Sequence, residues 1–357
     1  MASPQLDDPS WDGSLLMMDT DGEVPRAEGH IRSLDPFRDL SSVVDLMSTA
    51  FGERLDPAGQ ATLARMRRFA HSGPLMQWAW VFLGRAAVAP GLVWVIDGRV
   101  VGNVSVRRAR SSGGYLIGNV VVHPSQRGQG IASALMKRAI RAVSRRGARW
   151  VGLEVRADNK VAQGLYDSLG FREVGRTRHL MREAGAGPPK DSARSCLMRR
   201  GRRGDGDALV QLMEAVIPEE QLPLLEVQRT DYRPSWRRRL EHWLRCEDEI
   251  WWVVPGDHAA ADDGIVAAVR AQHQRGAFPN RMEILVHPAS RTDVEADLVR
   301  QGIASLRGSP RRPIQIALPR ATDSLLAALK EESFQHLRTL IQMKRSLRHR
   351  ISVQIKG

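Results

Sequence analysis

The sequence has little cysteine and no long apolar segment, and each absence excludes a class of protein. Its 357 residues include two cysteines, Cys196 and Cys246, which are too few for a disulfide scaffold or a cysteine-built zinc site. No stretch approaches the roughly 18–20 uncharged apolar residues of a membrane helix. Residues 1–10 have neither a basic segment nor an apolar core, so they do not resemble a signal peptide. These absences predict a cytoplasmic protein without a membrane partner.

The composition is typical of a folded protein, and its positive net charge is compatible with an anionic partner. Hydrophobic residues make up 42% and charged residues 26% of the chain, and a domain usually has ~100–200 residues, so two domains are expected. The net charge of +13 is compatible with a phosphate-bearing cofactor, an acidic protein or RNA. The basic runs at 199–203 and 344–356 lack the interleaved aromatic residues that stack on bases. Nucleic acid is therefore the less favoured partner.

The hydrophobic pattern predicts a mixed α/β unit with the order β-α-α-β-β-β-α-β-α-β. Residues 1–27 contain six acidic residues and one arginine and are predicted to be a mobile leader. Asp97-Gly98 is predicted to turn a hairpin, and Gly147 to end a helix. The predicted helices are 39–51, 57–70, 128–146 and 160–169, and the predicted strands are 31–34, 92–96, 100–106, 115–122 and 150–155, with a strand pair from 171.

A glycine-rich turn after the strand 115–122 is the most informative segment. Gly128 and Gly130 let the backbone adopt conformations that other residues avoid and approach a ligand closely. The first N–H groups of the helix that follows have no internal partners, and together with the helix dipole they favour an anion. The segment lacks the Gly-Lys-Ser/Thr ending of a P-loop and the third glycine of G-x-G-x-x-G. The residues alone predict an anion site, or a turn that only caps the helix.

The segment Arg127-Gly-Gln-Gly-Ile-Ala132 is similar to the Q/R-x-x-G-x-G/A pattern of the GNAT superfamily of acyl-CoA N-acyltransferases, with Ala132 in the last position. Residues 153–159 and 162–171 resemble the next strand and helix of that family. The resemblance covers about residues 28–183. It implies a mixed, mostly antiparallel sheet flanked by helices. It also implies an N-acetyltransferase that moves an acetyl group from acetyl-CoA to a primary amine by direct attack in a ternary complex, without a metal.

The resemblance also implies a set of cofactor-binding residues. Strand backbone groups would bind the pantetheine arm, the loop and first helical turn would bind the pyrophosphate, and Asn159 would contact the cofactor arm. Tyr166 would lie beside the thioester sulfur. The full set is Val120, Val121, Val122, Arg127, Gly128, Gln129, Gly130, Ile131, Ala132, Ser133, Asn159 and Tyr166.

Direct acetyl transfer requires a neutral amine, a stabilised oxyanion and a proton for the leaving thiolate. A backbone N–H such as that of Val122 can stabilise the oxyanion. Tyr166, one of three tyrosines, is the candidate acid, and a core tyrosine with a satisfied hydroxyl is the alternative. Glu154 is the candidate base because an acidic residue within an apolar strand is unusual. An exposed strand end or an ion pair with Arg156 is the alternative.

Two further observations bear on these assignments. The segment around Glu154 is similar to ribosomal-protein N-terminal alanine acetyltransferases, in which the equivalent glutamate serves as the base. Many relatives with other substrates share this segment, so the acceptor stays open between a small molecule and a protein N-terminus. His123 is interpreted as a turn residue, and Trp78, Trp80 and Trp94 are interpreted as core residues.

The second half of the chain repeats the first at an offset of about 164, as Val122-His-Pro124 and Val286-His-Pro288 show. Both loop glycines are replaced in the second copy, where Asp293 and Glu295 would repel a pyrophosphate. Glu154 aligns with Leu318, and Tyr166 falls near Leu329 or Lys330. The second copy is therefore predicted to be non-catalytic. The predicted divisions are an acidic leader 1–27, an acetyltransferase domain 28–183, a linker 184–194, a degenerate GNAT-like domain 195–347 and a basic tail 348–357.

Two other functions stay open at this stage. One is a CoA-sensing or partner-binding module without turnover, and the other is a ribosome- or RNA-associated protein. The sequence does not identify the amine acceptor, exclude an acyl group longer than acetyl, or determine the oligomeric state.

Overall fold

The computed structural model describes residues 28–52, 57–72, 91–111, 113–189, 198–233, 248–256, 264–274, 278–289, 294–306 and 312–347. The predicted leader, the predicted basic tail, Trp78 and Trp80 lie outside these ranges. The chain divides into two compact units. Unit 1 contains the residues up to Leu153, Val161–Arg172 and those from Met343 onward, and unit 2 contains Glu154–Lys160 and Glu173–Gln342.

Unit 1 is built mainly from the first repeat, and its strands follow the order β1-β2-β3-β4-β5. β4 and β5 are parallel, and the other neighbouring strands are antiparallel. The elements are β1 His30–Ser33, α1 Pro36–Phe51, α2 Pro57–Ala70, β2 Gly91–Ile96, β3 Arg99–Arg108, β4 Gly114–Val122, α3 Ile131–Arg145, β5 Trp150–Arg156 and α4 Lys160–Ser168.

Unit 2 holds most of the second repeat, and its strands follow the order β12-β6-β11-β10-β9-β8-β7. The elements are β6 Arg172–Arg182, β7 Arg199–Arg200, α5 Gly206–Val216, α6 Leu222–Leu225, β8 Asp248–Pro255, β9 Ile265–His273, β10 Asn280–Val286, α7 Glu295–Ser305, β11 Ile314–Leu318, α8 Asp323–Glu331 and β12 Phe334–Ser346. The predicted class, a mixed and mostly antiparallel sheet with flanking helices in each repeat, is confirmed.

Local sequence signals explain where these elements begin and end. The Asp35 side chain accepts hydrogen bonds from the backbone N–H groups of Phe37 and Arg38 and so caps α1. Asp97 and Gly98 have φ angles of 47° and 75°, as a two-residue hairpin turn requires. α3 buries one face completely, with Leu135 and Met136 inaccessible to solvent. Trp94 is buried as predicted, and its indole N–H donates to the Glu28 carbonyl at 3.1 Å.

Two boundary predictions are wrong for identifiable reasons. α3 begins at Ile131 rather than at 128, because Gly128 and Gly130 are left-handed, with φ angles of 81° and 82°. The predicted strand pair from 171 is a single strand, β6. Gly175 lies within this strand, and its missing side chain leaves room for Gln221, whose Nε2 atom would lie 2.0 Å from an added Cβ atom.

The last strand of the first repeat lies in unit 2. β6 pairs with β11 from Arg178↔Leu318 to Arg182↔Ile314. The buried Arg182 guanidinium donates from Nε to the Glu332 carbonyl at 2.7 Å. It also donates from Nη2 to the Gly187 carbonyl at 2.8 Å. The first repeat therefore supplies an interior strand to a unit that is built mainly from the second.

The end of the second repeat lies in unit 1 in the same way. The Leu347 N–H donates to the Arg149 carbonyl at 2.8 Å, and Arg345 Nη1 donates to the Leu169 carbonyl at 2.6 Å. Lys344 lies 5.4 Å from the ring centroid of Trp150. Unit 1 thus contains the end of the second repeat, and unit 2 contains the end of the first. The predicted boundaries 28–183 and 195–347 describe the sequence repeats and stay predictions.

Because each unit requires segments from both halves of the chain, the halves should fold together and not separately. We expect fragments 1–189 and 190–357, co-expressed as separate chains with a tag on one of them, to co-purify. Expressed alone, each fragment should be poorly soluble, because β11 would lack β6 and the Arg149 and Leu169 carbonyls would lack their donors. Two fragments that purify separately as folded monomers would contradict this expectation.

No helix within the described ranges is both long and apolar enough to span a membrane.

Candidate active site

An extra residue in β4 shapes the strand before it reaches the glycine turn. The pairing with β3 changes from Asn103↔Val121 to Ser105↔Gly118, and Asn119 within this bulge has a φ of 50°. The buried Asn103 donates from Nδ2 to the Asn119 carbonyl at 2.9 Å, and Asn119 Nδ2 donates to Ser105 Oγ at 3.2 Å. Sequence reasoning missed this pair, although Asn103 lies in a run of apolar strand residues and is a signal of a buried polar contact.

The bulge and the end of the β4–β5 ladder together orient the last backbone groups of β4. The parallel pairing with β5 runs from Gly114↔Trp150 to Ile117↔Leu153, so Gly118–Val122 extends past it. The His123 N–H donates to the Val101 carbonyl at 2.8 Å, which makes Gly102↔Val122 a pair without mutual hydrogen bonds. The Val122 N–H therefore points away from β3, and the same holds for the Val122 carbonyl, which accepts from Arg127 Nε at 3.3 Å.

The glycine turn is open on the side where a ligand would approach. His123 begins it as a turn residue, as predicted, and its Nδ1 is 2.7 Å from Ser125 Oγ. The left-handed Gly128 and Gly130 are both exposed, and a Cβ atom added to either would have no neighbour within 4 Å. Gln129 Nε2 donates to Gln126 Oε1 at 2.9 Å and stiffens the turn. The space over the two glycines fits a phosphate group that contacts the backbone.

The N-terminus of α3 supplies donors to that space. Gly130 is its N-cap and makes no side-chain capping bond, and the first helical hydrogen bond runs from the Ala134 N–H to the Gly130 carbonyl at 3.0 Å. The N–H groups of Ile131, Ala132 and Ser133 precede this bond and have no partner inside the helix. Because the Ile131 side chain is buried, only its backbone can reach a ligand.

The charge of α3 strengthens this preference for anions. The helix carries basic side chains and no acidic one. Burial and the neighbouring Arg141 lower the pKa of Arg138, as expected where positive charge is concentrated. The helix dipole adds positive potential at the N-terminus. The residues predicted to hold a pyrophosphate therefore fit such a group in geometry and in charge.

Tyr166 lies on α4 and is almost completely buried, with 6% of its surface exposed. Its ring contacts Phe171 edge to face at a centroid distance of 6.0 Å. Burial raises the pKa of the Tyr166 hydroxyl to about 12, because ionisation would place a charge in an apolar environment. The hydroxyl is therefore protonated at neutral pH, which is the state that a proton donor requires.

Glu154 lies near the end of β5 with an exposed side chain. Its Oε1 accepts a hydrogen bond of 2.8 Å from Gln342 Nε2 on β12. Arg156, the alternative partner considered from the sequence, forms an ion pair with Asp158 at 2.7 Å. Asn159 is exposed immediately before α4. Gln342 had no signal in the sequence, because it is 188 positions from Glu154.

The second repeat lacks each of these features within its described residues. The β9–β10 register is regular from Arg281↔Gln272 to Val286↔Ala267, without a bulge. Glu295 is buried at the first position of α7 and accepts from Ser324 Oγ at 2.8 Å. A buried glutamate therefore begins this helix where the first repeat has Ile131, while Asp293 lies outside the described residues. Leu318 and Leu329, at the positions of Glu154 and Tyr166, are core residues.

A buried polar network in the second repeat also escaped sequence reasoning. Arg270 forms ion pairs with Glu249 at 2.7 Å and Glu283 at 3.3 Å, and it lies 5.3 Å from the ring centroid of Trp251. The Tyr232 hydroxyl donates to Glu283, and burial together with that carboxylate raises its pKa. These side chains bind one another, so we interpret the network as structural.

Comparisons with known proteins agree with this geometry. Residues 60–171 match the family model described as acetyltransferase (GNAT) family. The chain is 44% identical over 56 residues to the ribosomal protein bS18-alanine N-acetyltransferase of Escherichia coli (strain K12), which is 16% of this chain and 38% of that protein. It is 46% identical over 66 residues to the N-alpha-acetyltransferase MAK3 of Arabidopsis thaliana, or 18% and 34% of the two chains. The chain spans little more than a third of these curated relatives.

Two solved structures match nearly the whole chain. One is a tandem GNAT protein from the clavulanic acid biosynthesis pathway, with a TM-score of 0.55, 16% identity and coverage of 90% of this chain and 99% of that chain. The other is a GCN5-related N-acetyltransferase from Sphaerobacter thermophilus, with a TM-score of 0.58, 17% identity and coverage of 89% and 96%. The fold is thus that of two GNAT-like domains in tandem. The residues 60–171 that match the family model all lie in the first repeat.

Replacing Tyr166 with phenylalanine should remove one source of alkaline destabilisation. The folded-state pKa of about 12 lies above the ordinary value of 10.0, so the un-ionised hydroxyl contributes stability below pH 10 that is lost as the pH rises to 12. Between pH 10 and pH 12 we expect the free energy of unfolding to fall in both proteins. The decrease should be larger in the wild type than in Tyr166→Phe, by up to about 3 kcal/mol. Urea unfolding of both proteins across this range measures the difference, and identical pH slopes would contradict the assignment.

Proposed function

We propose that this protein is an N-acetyltransferase that moves an acetyl group from acetyl-CoA to a primary amine, with one catalytic site in the first repeat. The observation that carries the proposal is the continuous path from the bulged end of β4 through two open, left-handed glycines to the uncapped N-terminus of α3. The family match over residues 60–171 supports it. The second repeat, which lacks this path in its described residues, is proposed to be non-catalytic.

The donor would be held by backbone groups of the first repeat. Strand backbone groups of Val120, Val121 and Val122 would bind the pantetheine arm, and Asn159 would contact it from the start of α4. The N–H groups from Gly128 to Ser133 would bind the pyrophosphate with help from Arg127, Gln129 and the helix dipole. When bound, acetyl-CoA supplies the activated acetyl thioester. No group of three or more metal-binding side chains lies together within the described ranges, and the proposed reaction requires no metal.

The chain's own groups then meet the three requirements of acyl transfer. The Val122 N–H, which points away from β3, would donate to the carbonyl oxygen as negative charge develops on it. Tyr166, protonated at neutral pH, would supply the proton for the leaving sulfur. Glu154 would accept a proton from the amine, directly or through water, and its exposed position lets that proton pass to solvent.

The proposed acceptor is defined only by its chemical class, a primary amine. One relative named above is a ribosomal protein alanine N-acetyltransferase, and the other is an N-alpha-acetyltransferase. They are similar to this chain over 56 and 66 residues, respectively. A protein N-terminus and a small amine are both retained. The cytoplasmic location stays a prediction from the sequence.

Calorimetric titration with acetyl-CoA and with CoA tests the donor site. We expect saturable 1:1 binding that is abolished in Gly128→Glu/Gly130→Glu, because a carboxylate would repel the pyrophosphate and a side chain would strain both left-handed positions. Gly185→Glu/Gly204→Glu is the matched control, since it adds the same two charges at exposed glycines whose surroundings are also open. Two sites per chain would contradict a non-catalytic second repeat, and no binding to the wild type would remove the proposed function.

Turnover tests the chemistry and separates an enzyme from a CoA sensor. Thiol release is measured with a panel of primary amines consisting of an N-terminal-alanine peptide, free alanine, spermidine and kanamycin. We expect Tyr166→Phe to lower kcat by roughly 10²-fold or more while acetyl-CoA affinity by calorimetry changes little. Tyr115→Phe, at a buried tyrosine of β4, is the matched control and should keep its rate. A sensor would show binding without turnover of any panel amine.

A further inference from the structure

Gln342 connects the second repeat to the candidate base of the first. It lies on β12 and is completely buried. Its side-chain Nε2 donates to Glu154 Oε1 at 2.8 Å and to Thr177 Oγ1 on β6 at 3.1 Å. All three residues belong to unit 2, so one amide group joins the end of β5 to β6.

The backbone around Gln342 fixes where this amide can be. The Ala157 N–H, directly after β5, donates to the Thr339 carbonyl of β12 at 2.9 Å. On the other side of β12, Thr177 is buried, with 2% of its surface exposed. The amide is therefore attached to a rigid position, whereas the Glu154 side chain is exposed and has several rotatable bonds.

The amide also costs stability, which a purely structural role does not explain. Gln342 Oε1 is buried and has no hydrogen-bond partner among the described residues. A buried polar atom without a partner is unfavourable, and an apolar side chain of the same length would avoid that cost. The gain that accompanies the cost is the hydrogen bond that orients the Glu154 carboxylate.

We propose that Gln342, on the last strand of the second repeat, is a positioning residue for Glu154, the proposed base. The inference rests on the proposed function, because it assigns Glu154 the role of base. By holding Oε1, Gln342 fixes the orientation of the whole carboxylate towards the incoming amine. The non-catalytic repeat is then a required part of the enzyme rather than an attached remnant.

The first test compares Gln342→Met with Gln335→Met in the full chain. Methionine keeps the length of glutamine and removes the donor, and Gln335 is an exposed glutamine on the same strand. With the panel amine that gives the highest rate, we expect Gln342→Met to lower kcat by roughly 10- to 100-fold, with acetyl-CoA affinity within about twofold of the wild type. Gln335→Met should retain the wild-type kcat.

A double-mutant cycle separates positioning from a general structural defect. If Gln342 acts through Glu154, adding Gln342→Met to Glu154→Gln should lower kcat no further, because the group that it positions is already gone. A purely structural role predicts the same fold-loss in both backgrounds, and that result would overturn the proposal. A Gln342→Met enzyme as fast as the wild type would also overturn it.

Two further outcomes are distinguishable. If Gln342→Met does not fold, Gln342→Asn keeps a buried amide but moves it by one methylene. A lowered kcat with a Tm near that of the wild type then supports positioning, and an unchanged kcat overturns it. If the wild type itself acetylates no panel amine, the proposed function fails and the inference fails with it. If the wild type acetylates a panel amine and the Gln342 variant has the same kcat, the inference is overturned and the proposed function stands.

Discussion

The placement of the last strand of each repeat is the constraint on which the rest of the structure depends. β6 leaves the first repeat to pair with β11 in unit 2, while the end of β12 satisfies the carbonyls of Arg149 and Leu169 in unit 1. Backbone groups buried in a sheet must find partners, and here each repeat finds some of them in the other. This arrangement places Gln342 against Glu154. It also gives the second repeat, whose described residues lack the open glycine turn of the first, a structural role in the protein.

The donor site depends on a different constraint, which is local. A left-handed turn ends a strand and begins a helix whose first N–H groups are directed at open space. Glycine is required at both left-handed positions, because any side chain there would be strained and would fill the space that an anion needs. The bulge at Asn119, held by Asn103, directs the end of β4 into the same region. Few polar side chains are required, since the backbone itself provides the donors.

The two repeats show how one fold loses such a site while keeping its core. In the second repeat the strand is regular, a buried glutamate begins the helix, and leucines occupy the positions of the candidate acid and base. The two leucines replace polar side chains with apolar core residues. The Arg270 network in the same repeat consists of ion pairs that are satisfied within the protein. The second repeat thus remains a folded partner while the described part of it offers no equivalent donor site.

Features that depend on neighbours along the chain follow from the amino-acid sequence alone. The glycine turn, the amphipathic α3, the hairpin at Asp97-Gly98 and the loss of glycines in the second repeat are all local, because turn chemistry and helical periodicity act over a few residues. The pairing of β6 with β11, the bulge at Asn119 and the contact of Gln342 with Glu154 follow from the folded chain and not from any local pattern. Strand order and buried polar contacts join residues far apart in the chain, and the pattern of apolar residues along a strand is the same whichever neighbour it pairs with.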